Sequence, residues 1–287
     1  MRSAERMVAF SDCGPGGVDV TDLTIEGRHG EIAARGYRGA TSPTGAALVW
    51  VHGGGFIGGD LDMPEAHWVG VELARRGIPV LSVEYRKCLD GVHYPVPLED
   101  VLDAWLWVSD IEPALGVDLE RLHLGGASAG AHLCAGVTKR LRDEAGPLPA
   151  SVVLAYPNLH ARMPELSDAL RTALAARRPD FVFTTDVMRT INLNFVGDEA
   201  LLEDDYAFPA NGDLSGQPPI YILNSEADSL RASGEAYAAQ LADAGVAVRV
   251  EFEPGTLHGH LNDPSDPAAE RSIERMAAWV LEWTASP

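Results

Sequence analysis

Gly126-Ala127-Ser128-Ala129-Gly130 is the stretch of sequence that decides the fold. The apolar run before it, residues 121–125, predicts a β-strand, and residues 129–144 predict an α-helix. Glycines on both sides of a serine let the backbone turn sharply from strand to helix, so that the hydroxyl stands clear of the sheet. The stretch therefore predicts a serine nucleophile at position 128, although a lone serine here could also be a helix cap.

A glycine loop upstream supplies the second part of such a site. His52-Gly53-Gly54-Gly55-Phe56 follows an apolar run, residues 46–51, that predicts a strand. Glycine backbones can bring N–H groups close to a substrate oxygen, and with the N–H after the nucleophile they form an oxyanion hole. We predict these donors at Gly54, Gly55 and Ala129, and expect His52 to brace the loop. A merely flexible loop is the simpler alternative.

The same glycines also fit a nucleotide-binding fingerprint. Gly53, Gly55 and Gly58 match G-x-G-x-x-G, which binds dinucleotides when it follows a strand. That fingerprint requires a helix that opens at once and an acidic residue about 20 positions further on, at the end of a second strand. Here a helix is expected only near Pro64, and the first strand-ending acid is Glu84. The pattern therefore favours the oxyanion loop.

A serine nucleophile needs a base, and the base needs a carboxylate that orients it. α/β-Hydrolases carry these groups in the chain order serine, acid, histidine, each after a strand. Asp228 follows the predicted strand 219–224, and His258 follows the predicted strand 247–252. We therefore predict a catalytic triad of Ser128, Asp228 and His258.

Other residues could fill two of these roles. Glu226 lies in the same loop as Asp228, and His260 lies in the same loop as His258. Taken singly, Asp228 could cap the helix that begins near residue 230, and His258 could be a surface histidine. The order of all four motifs along the chain favours the triad.

Together the motifs resemble those of the bacterial hormone-sensitive-lipase-like esterases. The matching pieces are HGGGF at 52–56, GASAG at 126–130, DSLR at 228–231 and HG at 258–259, with further matches at 85–86, 95–100 and 156–157. The resemblance runs from about residue 46 to the C-terminus. It implies an α/β-hydrolase fold, the triad and oxyanion donors predicted above, short-acyl carboxylic esters as substrates, and dimers formed through the last strand.

Three features depart from that family. Ala127 stands before the serine, where the family usually has an acidic residue. Asn158 stands where the family usually has an acid or a hydroxyl residue. The segment before the HGGGF motif is short, which implies a reduced cap and a more open acyl pocket.

Composition agrees with one large core. The chain has 287 residues, of which 46% are hydrophobic, and α/β folds of this length commonly form one domain. The formal charge of −20 disfavours nucleic acid and anionic membranes as partners. Cys13, Cys88 and Cys134 form no C-x-x-C pair, so neither a disulfide framework nor a zinc site is indicated, and we expect no cofactor. The first residues contain no apolar run typical of a signal peptide or membrane span, so we expect a cytoplasmic protein.

Strands and helices alternate along the chain, as in a mainly parallel sheet with helices on both faces. A strand pair is predicted at 21–38, and further strands at 46–51, 79–85, 121–125, 151–156, 219–224 and 247–252. The predicted helices are 65–76, 96–115, 129–144, 166–178, 186–195, 232–245 and 267–284. In the last helix, Ile273, Met276, Ala277, Val280 and Leu281 recur at helical spacing and predict a core-facing side.

The alternation stops between residues 158 and 217. Because this stretch follows the carboxyl end of a strand, we expect it to form a cap over the site, together with about residues 1–20. The cap contains four large apolar side chains, Phe181, Phe183, Met188 and Phe195. They could line the acyl site, but we expect them rather to form the small core of the cap itself.

The last predicted strand is a candidate edge of the sheet. From Val246 to Glu253, large apolar residues alternate with alanine and charged residues, which is the pattern of a half-buried strand. Its place at the end of the strand series predicts a sheet edge, and a homodimer formed through residues 246–252.

The sequence thus predicts a serine carboxylesterase that hydrolyses short-acyl esters through an acyl-enzyme. An amidase or formamidase would use the same site, because both reactions share the tetrahedral intermediate. A hydrolase fold that has lost catalysis and binds a ligand is the remaining alternative. Such a protein would be expected to lack a triad member, and this chain has all three.

Overall fold

The computed structural model describes residues 17–40, 44–115, 119–177 and 182–283. Cys13, Phe181 and most of the expected cap element at 1–20 lie outside these residues. The strands are β1 (Val18–Gly27), β2 (Gly30–Gly39), β3 (Ala47–Val51), β4 (Val80–Val83), β5 (Leu122–Ala127), β6 (Val152–Ala155), β7 (Ile220–Ser225) and β8 (Val248–Glu253).

The eight strands form one sheet in the order β1-β2-β4-β3-β5-β6-β7-β8. β1 and β2 form an antiparallel hairpin, and β2 also pairs antiparallel with β4. All the other pairs are parallel. The prediction of an α/β-hydrolase fold, with a strand pair followed by a parallel sheet, is confirmed, and the predicted strands differ from the observed ones only at their ends.

Within the described residues, six helices lie between strands and a seventh follows the last strand. They are α1 (Pro64–Arg75), α2 (Val96–Leu115), α3 (Ala129–Asp143), α4 (Asp168–Arg177), α5 (Thr185–Val196), α6 (Arg231–Asp243) and α7 (Pro267–Glu282). Local signals set several of their ends. Asp266 accepts a hydrogen bond from the backbone N–H of Ala268 at the start of α7, and Gly197 ends α5 in the left-handed conformation.

The helices pack on both faces of the sheet and bury two apolar clusters. On one face, α1 and α7 pack on the sheet with Val69, Leu73, Ile273 and Met276. On the other face, α2, α3 and α6 bury the larger cluster. The core-facing side predicted for α7 is confirmed, since Ile273, Met276, Ala277 and Val280 are buried. Cys134 is buried in α3, as expected for a small core residue.

β8 lies at one edge of the sheet, as predicted, but its expected half-buried pattern holds only at its start, where Val246 is buried and Val248 packs against the larger apolar cluster. Val250 and Phe252, the residues expected to face the core, are 41% and 36% exposed, whereas Glu253 is fully buried. The carboxylate of Glu253 forms an ion pair with Arg271 of α7 at 2.6 Å. The apolar side of β8 therefore packs on the core at the start of the strand and is exposed at its end.

Residues 158–217 lie between β6 and β7 and contain α4, α5 and two short 3₁₀ turns. Phe195 of α5 is fully buried and stacks on Phe56 of the glycine loop, with ring centroids 4.2 Å apart. The segment is therefore packed onto the loop that follows β3. None of the helices in the described ranges is both long and apolar enough to cross a membrane.

The turn from β5 into α3 approaches β3 very closely. A Cβ atom at position 130 would overlap the backbone carbonyl oxygens of Val51 and His52. At Gly58, by contrast, a Cβ atom would meet only Gly54 at an ordinary contact distance of 3.6 Å. Glycine at position 130 is thus required by this approach, rather than by its own backbone conformation.

Replacing Gly130 with alanine should push α3 away from β3. We expect Gly130→Ala to lower the free energy of unfolding by about 1–3 kcal/mol, since extra atoms in a packed site force backbone shifts. The control Gly58→Ala should change it by less than about 0.5 kcal/mol. Urea unfolding of both variants measures the difference, and equal stability would contradict the close packing described here.

Candidate active site

Ser128 lies at the sharp turn between β5 and α3. Its φ of 51° and ψ of −115° are unusual for a residue with a side chain. Conformations of this kind cost about 1–3 kcal/mol and persist where the surroundings hold them. Here the N–H of Ser128 donates to the carbonyl of Ala155 in the neighbouring β6, at 2.8 Å. The hydroxyl is held at the carboxyl edge of the sheet, as the sequence predicted.

His258 and Asp228 complete a line of hydrogen bonds that begins at Ser128. The Ser128 Oγ and His258 Nε2 atoms are 3.0 Å apart, and His258 Nδ1 is 2.6 Å from Asp228 Oδ2. Asp228 is buried, and a carboxylate only accepts hydrogen bonds, so Nδ1 carries the proton and Nε2 is free to accept one from the serine. The structure brings together the three residues predicted from widely separated parts of the chain.

The alternative acid and base lie in other interactions. Glu226 accepts a hydrogen bond from the N–H of Gly255 at 2.6 Å. His260 is held between the hydroxyls of Ser225 and Ser272, each at 2.8 Å. Burial, with the nearby charge of His258 adding to it, lowers the pKa of His260 to about 4. Both residues therefore hold loops of the site in place and do not contact Ser128.

The glycine loop places N–H groups beside the serine. Gly55 and Ala129 line one small cavity together with Ser128, whereas Gly54 does not line it. Among the described residues, none accepts a hydrogen bond from the backbone N–H of Gly54, Gly55 or Ala129. The geometry fits donation to a substrate oxygen for Gly55 and Ala129. Gly54 has a φ of 120°, and its carbonyl accepts from Gly58 and Ile57, so it shapes the turn. That its N–H also donates to the substrate oxygen stays a prediction.

His52 holds the glycine loop, as expected. Its Nδ1 lies 2.6 Å from the carbonyl oxygen of Gly53, and its Nε2 lies 2.8 Å from the Glu84 carboxylate. Tyr85 stacks on the imidazole and donates its hydroxyl to the same Gly53 carbonyl. The dinucleotide interpretation is wrong, because no helix opens at this loop and α1 begins only at Pro64.

The cavity at Ser128 is walled mainly by apolar side chains. Its lining residues are Gly55, Phe56, Ser128, Ala129, His132, Asn158, Phe183, Met188, Ile191 and Leu230. The expectation that Phe183 and Met188 form a separate core is therefore wrong. Met188 and Ile191 lie one turn apart on α5 and reach the cavity, and the Phe183 ring lies 4.6 Å from that of His258. Phe195, on the next turn, is buried in the larger apolar cluster of the sheet and not in a separate core of the cap, so the expectation is wrong for this residue too.

Glu65 is a residue of the site that sequence reasoning missed. Its buried carboxylate accepts a hydrogen bond from the N–H of Gly53 at 2.7 Å and another from the hydroxyl of Tyr156 at 2.6 Å. The Tyr156 ring in turn contacts the imidazole of His258, with centroids 5.0 Å apart. One carboxylate thus connects the glycine loop with the ring that supports the histidine. The only sequence signal was an acid directly after Pro64 at the start of a helix.

Ala127 offers no carboxylate beside the serine, and it is buried in the core cluster with Trp50 and Tyr156. The indole N–H of Trp50 donates to the backbone carbonyl of Glu65 at 2.7 Å, which holds the start of α1 against the sheet. Glu65 of α1 therefore supplies the acidic group near the turn, in place of residue 127.

The pKa of His258 reflects two opposing effects. Burial lowers the pKa, because it disfavours the charged ring, but the negative charge and hydrogen bond of Asp228 and the charge of Glu65 raise it. The result is a pKa above the ordinary value of 6.5. The imidazolium that forms when His258 takes a proton is thus stabilised.

Within residues 17–40, 44–115, 119–177 and 182–283, no group of three or more His, Cys, Asp or Glu side chains is arranged to bind a metal ion. That the reaction needs no cofactor stays a prediction.

Both the sequence and the fold of this chain are similar to those of known proteins. Residues 48–262 match the family of the α/β-hydrolase fold, and the chain belongs to that family. The match covers every residue placed in the site above.

Named relatives and solved structures agree with this assignment. A carboxylesterase of Mycobacterium tuberculosis, NlhH, is 33% identical over 75% of this chain and 66% of its own length. An ethyl acetate hydrolase of Pseudomonas putida is 31% identical over 83% of this chain and 74% of its own length. The solved Pyrobaculum calidifontis esterase superposes with a TM-score of 0.81 at 31% identity and covers 93% of this chain and 86% of its own. The predicted family and the predicted class of carboxylic ester hydrolase are confirmed by these comparisons.

Removing the charge of Glu65 should change the pH dependence of the enzyme. The charge raises the pKa of His258, so Glu65→Gln should lower that pKa and move the acidic limb of the kcat/KM profile to lower pH. Glutamine has nearly the same shape and can still accept from Gly53. The measurement is kcat/KM for an uncharged ester as a function of pH.

Glu226→Gln is the matched control. Glu226 also accepts a backbone N–H close to His258, but its charge does not act on that imidazole. Its profile should overlay that of the wild type. An acidic limb that stays in place in Glu65→Gln, or that moves equally in both variants, would contradict the electrostatic link.

Proposed function

We propose that the chain is a serine carboxylesterase for short-acyl esters, with Ser128 as nucleophile, His258 as general base and Asp228 as the residue that orients the base. The observation that carries this proposal is the line of hydrogen bonds from Asp228 through His258 to Ser128, which ends at the wall of a cavity. A nucleophile, a base and an orienting acid within hydrogen-bonding distance constitute the arrangement that acyl transfer requires.

The first half of the reaction forms an acyl-enzyme. Ser128 Oγ attacks the ester carbonyl carbon while its proton passes to His258 Nε2. The carbonyl oxygen becomes an oxyanion, which accepts hydrogen bonds from the N–H groups of Gly54, Gly55 and Ala129. Loss of one such donor typically costs about 10²–10³ in turnover. When the tetrahedral intermediate collapses, His258 gives the proton to the leaving alkoxide, and the alcohol departs.

The second half regenerates the serine. Water donates a proton to His258 Nε2 as its oxygen attacks the acyl carbon, and the same N–H groups stabilise the second oxyanion. The intermediate expels Ser128 Oγ, which recovers the proton from His258, and the carboxylic acid leaves. Asp228 holds the imidazole in one tautomer throughout and stabilises its charged form.

The side chains that surround the cavity support a short acyl group. The aromatic rings of Phe56 and Phe183 and the side chains of Met188 and Ile191 close around Ser128. The similarity to an ethyl acetate hydrolase supports the same substrate range. We also propose that residues 158–217 act as the cap of a single α/β-hydrolase domain, since α5 supplies part of this wall.

Replacing the nucleophile should abolish hydrolysis. Ser128→Ala should lower kcat on p-nitrophenyl acetate by at least about 10³-fold, because the oxygen that attacks the substrate is gone. In the wild type, activity measured across p-nitrophenyl esters from acetate to dodecanoate should peak at the short chains.

Ser229→Ala is the matched control. Ser229 follows Asp228 in the chain, and its buried hydroxyl has no hydrogen-bond partner among the described residues. This variant should keep the wild-type rate. Retention of more than a few per cent of the wild-type turnover by folded Ser128→Ala would refute the assignment of the nucleophile.

A homodimer through β8 is a second part of the proposal. β8 is an edge strand whose backbone can pair with a second copy, and Val250 and Phe252 expose an apolar surface on it. The guanidinium of Arg231 stacks on the Phe252 ring, with its central carbon 3.8 Å from the ring centroid, and the ring stays 36% exposed. A cytoplasmic location likewise stays a proposal.

Light scattering at micromolar concentration tests the dimer. The wild type should have twice the mass of one chain, and Val250→Lys with Phe252→Lys should reduce it to the mass of one chain, since charges on an edge strand oppose pairing. A monomeric wild type would overturn the dimer while leaving the esterase proposal intact.

A further inference from the structure

Besides Ser128, two polar side chains, those of Asn158 and His132, interrupt the apolar wall of the cavity. Asn158 follows β6, lines that cavity and is only 5% exposed. Its backbone carbonyl accepts a hydrogen bond from His132 Nδ1 at 2.5 Å. This backbone hydrogen bond therefore holds the residue in place, but it does not determine the orientation of the side-chain amide.

The neighbouring Asn192 decides how that amide is oriented. Asn192 is fully buried in α5, and its Nδ2 donates to the carbonyl oxygens of His160 and Ala161, at 3.2 and 2.9 Å. Its Oδ1 must therefore be the atom that faces Asn158, and it accepts from Asn158 Nδ2 at 3.2 Å. Turning the Asn158 amide over would place two acceptor oxygens against each other, so the orientation is set.

The remaining polar atom of this side chain is Asn158 Oδ1. It is buried and accepts no hydrogen bond from any of the described residues. A buried acceptor without a partner is costly in a protein interior, so each such group calls for an explanation, and a ligand that supplies the missing donor is one. Here the acceptor belongs to a residue of the cavity wall that also contains the nucleophile.

The other residues of the cavity wall limit which ligands can bind there. Phe183, Met188, Ile191 and Leu230 offer only apolar surface. The second polar residue, His132, has both ring nitrogens engaged, with Asn158 and Ala207 carbonyls at 2.5 Å each. A fitting group is therefore apolar over most of its surface and carries one hydrogen-bond donor.

We propose that this cavity selects esters that carry a hydroxyl group, which donates its hydrogen bond to Asn158 Oδ1. The inference rests on the proposed function, since it concerns the substrate of the same site. A site built around a polar contact discriminates more strongly than an apolar one, because an analogue without the donor leaves the buried acceptor unpaired. Asn158 is thus a specificity-determining residue.

Matched pairs of ethyl and butanoate esters test the proposal. Ethyl 3-hydroxybutanoate is compared with ethyl butanoate, which places the hydroxyl on the acyl side. 2-Hydroxyethyl butanoate is compared with propyl butanoate, which places it on the alcohol side. In the wild type, at least one hydroxylated ester should exceed its partner in kcat/KM by about tenfold. The pair that shows the preference identifies whether the cavity holds the acyl part or the alcohol part of the ester.

Variants at position 158 provide the decisive comparison. Asn158→Leu keeps a similar shape but has no acceptor, so it should remove the preference, measured as the ratio of kcat/KM for the two esters of a pair. Asn158→Ala serves the same purpose if the leucine variant does not fold. Ile191→Val changes an apolar part of the same wall and should alter both esters of a pair by the same factor.

The possible failures are distinguishable. A wild type that hydrolyses all four esters without preference for a hydroxyl overturns the role of Asn158 and leaves the esterase proposal standing. A preference that persists in Asn158→Leu also overturns that role. A folded wild type that hydrolyses none of these esters or the p-nitrophenyl esters overturns the proposed function itself.

Discussion

The close approach of the β5–α3 turn to the end of β3 is the constraint on which the rest of the site depends. β3 and β5 are paired so that Val51 lies opposite Gly126, and each strand continues directly into one half of the site. β3 leads into the glycine loop, and β5 leads into Ser128. Because Gly130 lets α3 start against the carbonyls of Val51 and His52, the nucleophile and the oxyanion donors are held at a fixed separation.

The unusual backbone of Ser128 is stabilised by its surroundings on two sides. Its N–H bonds to β6, and the loop in front of it is held through Gly53 by Glu65. The same carboxylate binds Tyr156, whose ring contacts His258. The charge that fixes the glycine loop therefore also raises the pKa of the base. Glu65 therefore both positions the glycine loop and acts electrostatically on His258, in a site where Ala127 supplies no acid.

Much of this arrangement could be predicted from the sequence, because its signals are local. The apolar runs gave the strands, and glycine, serine, aspartate and histidine each followed a strand in the order that an α/β-hydrolase requires. The role of Glu65 could not be predicted, since an acid in the first turn of a helix is common. Only the tertiary structure shows that it faces Gly53 and Tyr156. For the same reason the pattern of β8 did not reveal that the apolar residues at the end of the strand are exposed, and that of α5 did not separate Met188 from Phe195.

The identity of the nucleophile is the central claim, and covalent labelling tests it most directly. The protein is treated with diethyl p-nitrophenyl phosphate, which phosphorylates an activated serine, and its intact mass and the labelled peptide are determined by mass spectrometry. We predict one diethylphosphoryl group per chain, located on Ser128, together with complete loss of ester hydrolysis. A label on another residue, or full hydrolytic activity in a protein labelled at Ser128, would contradict the account.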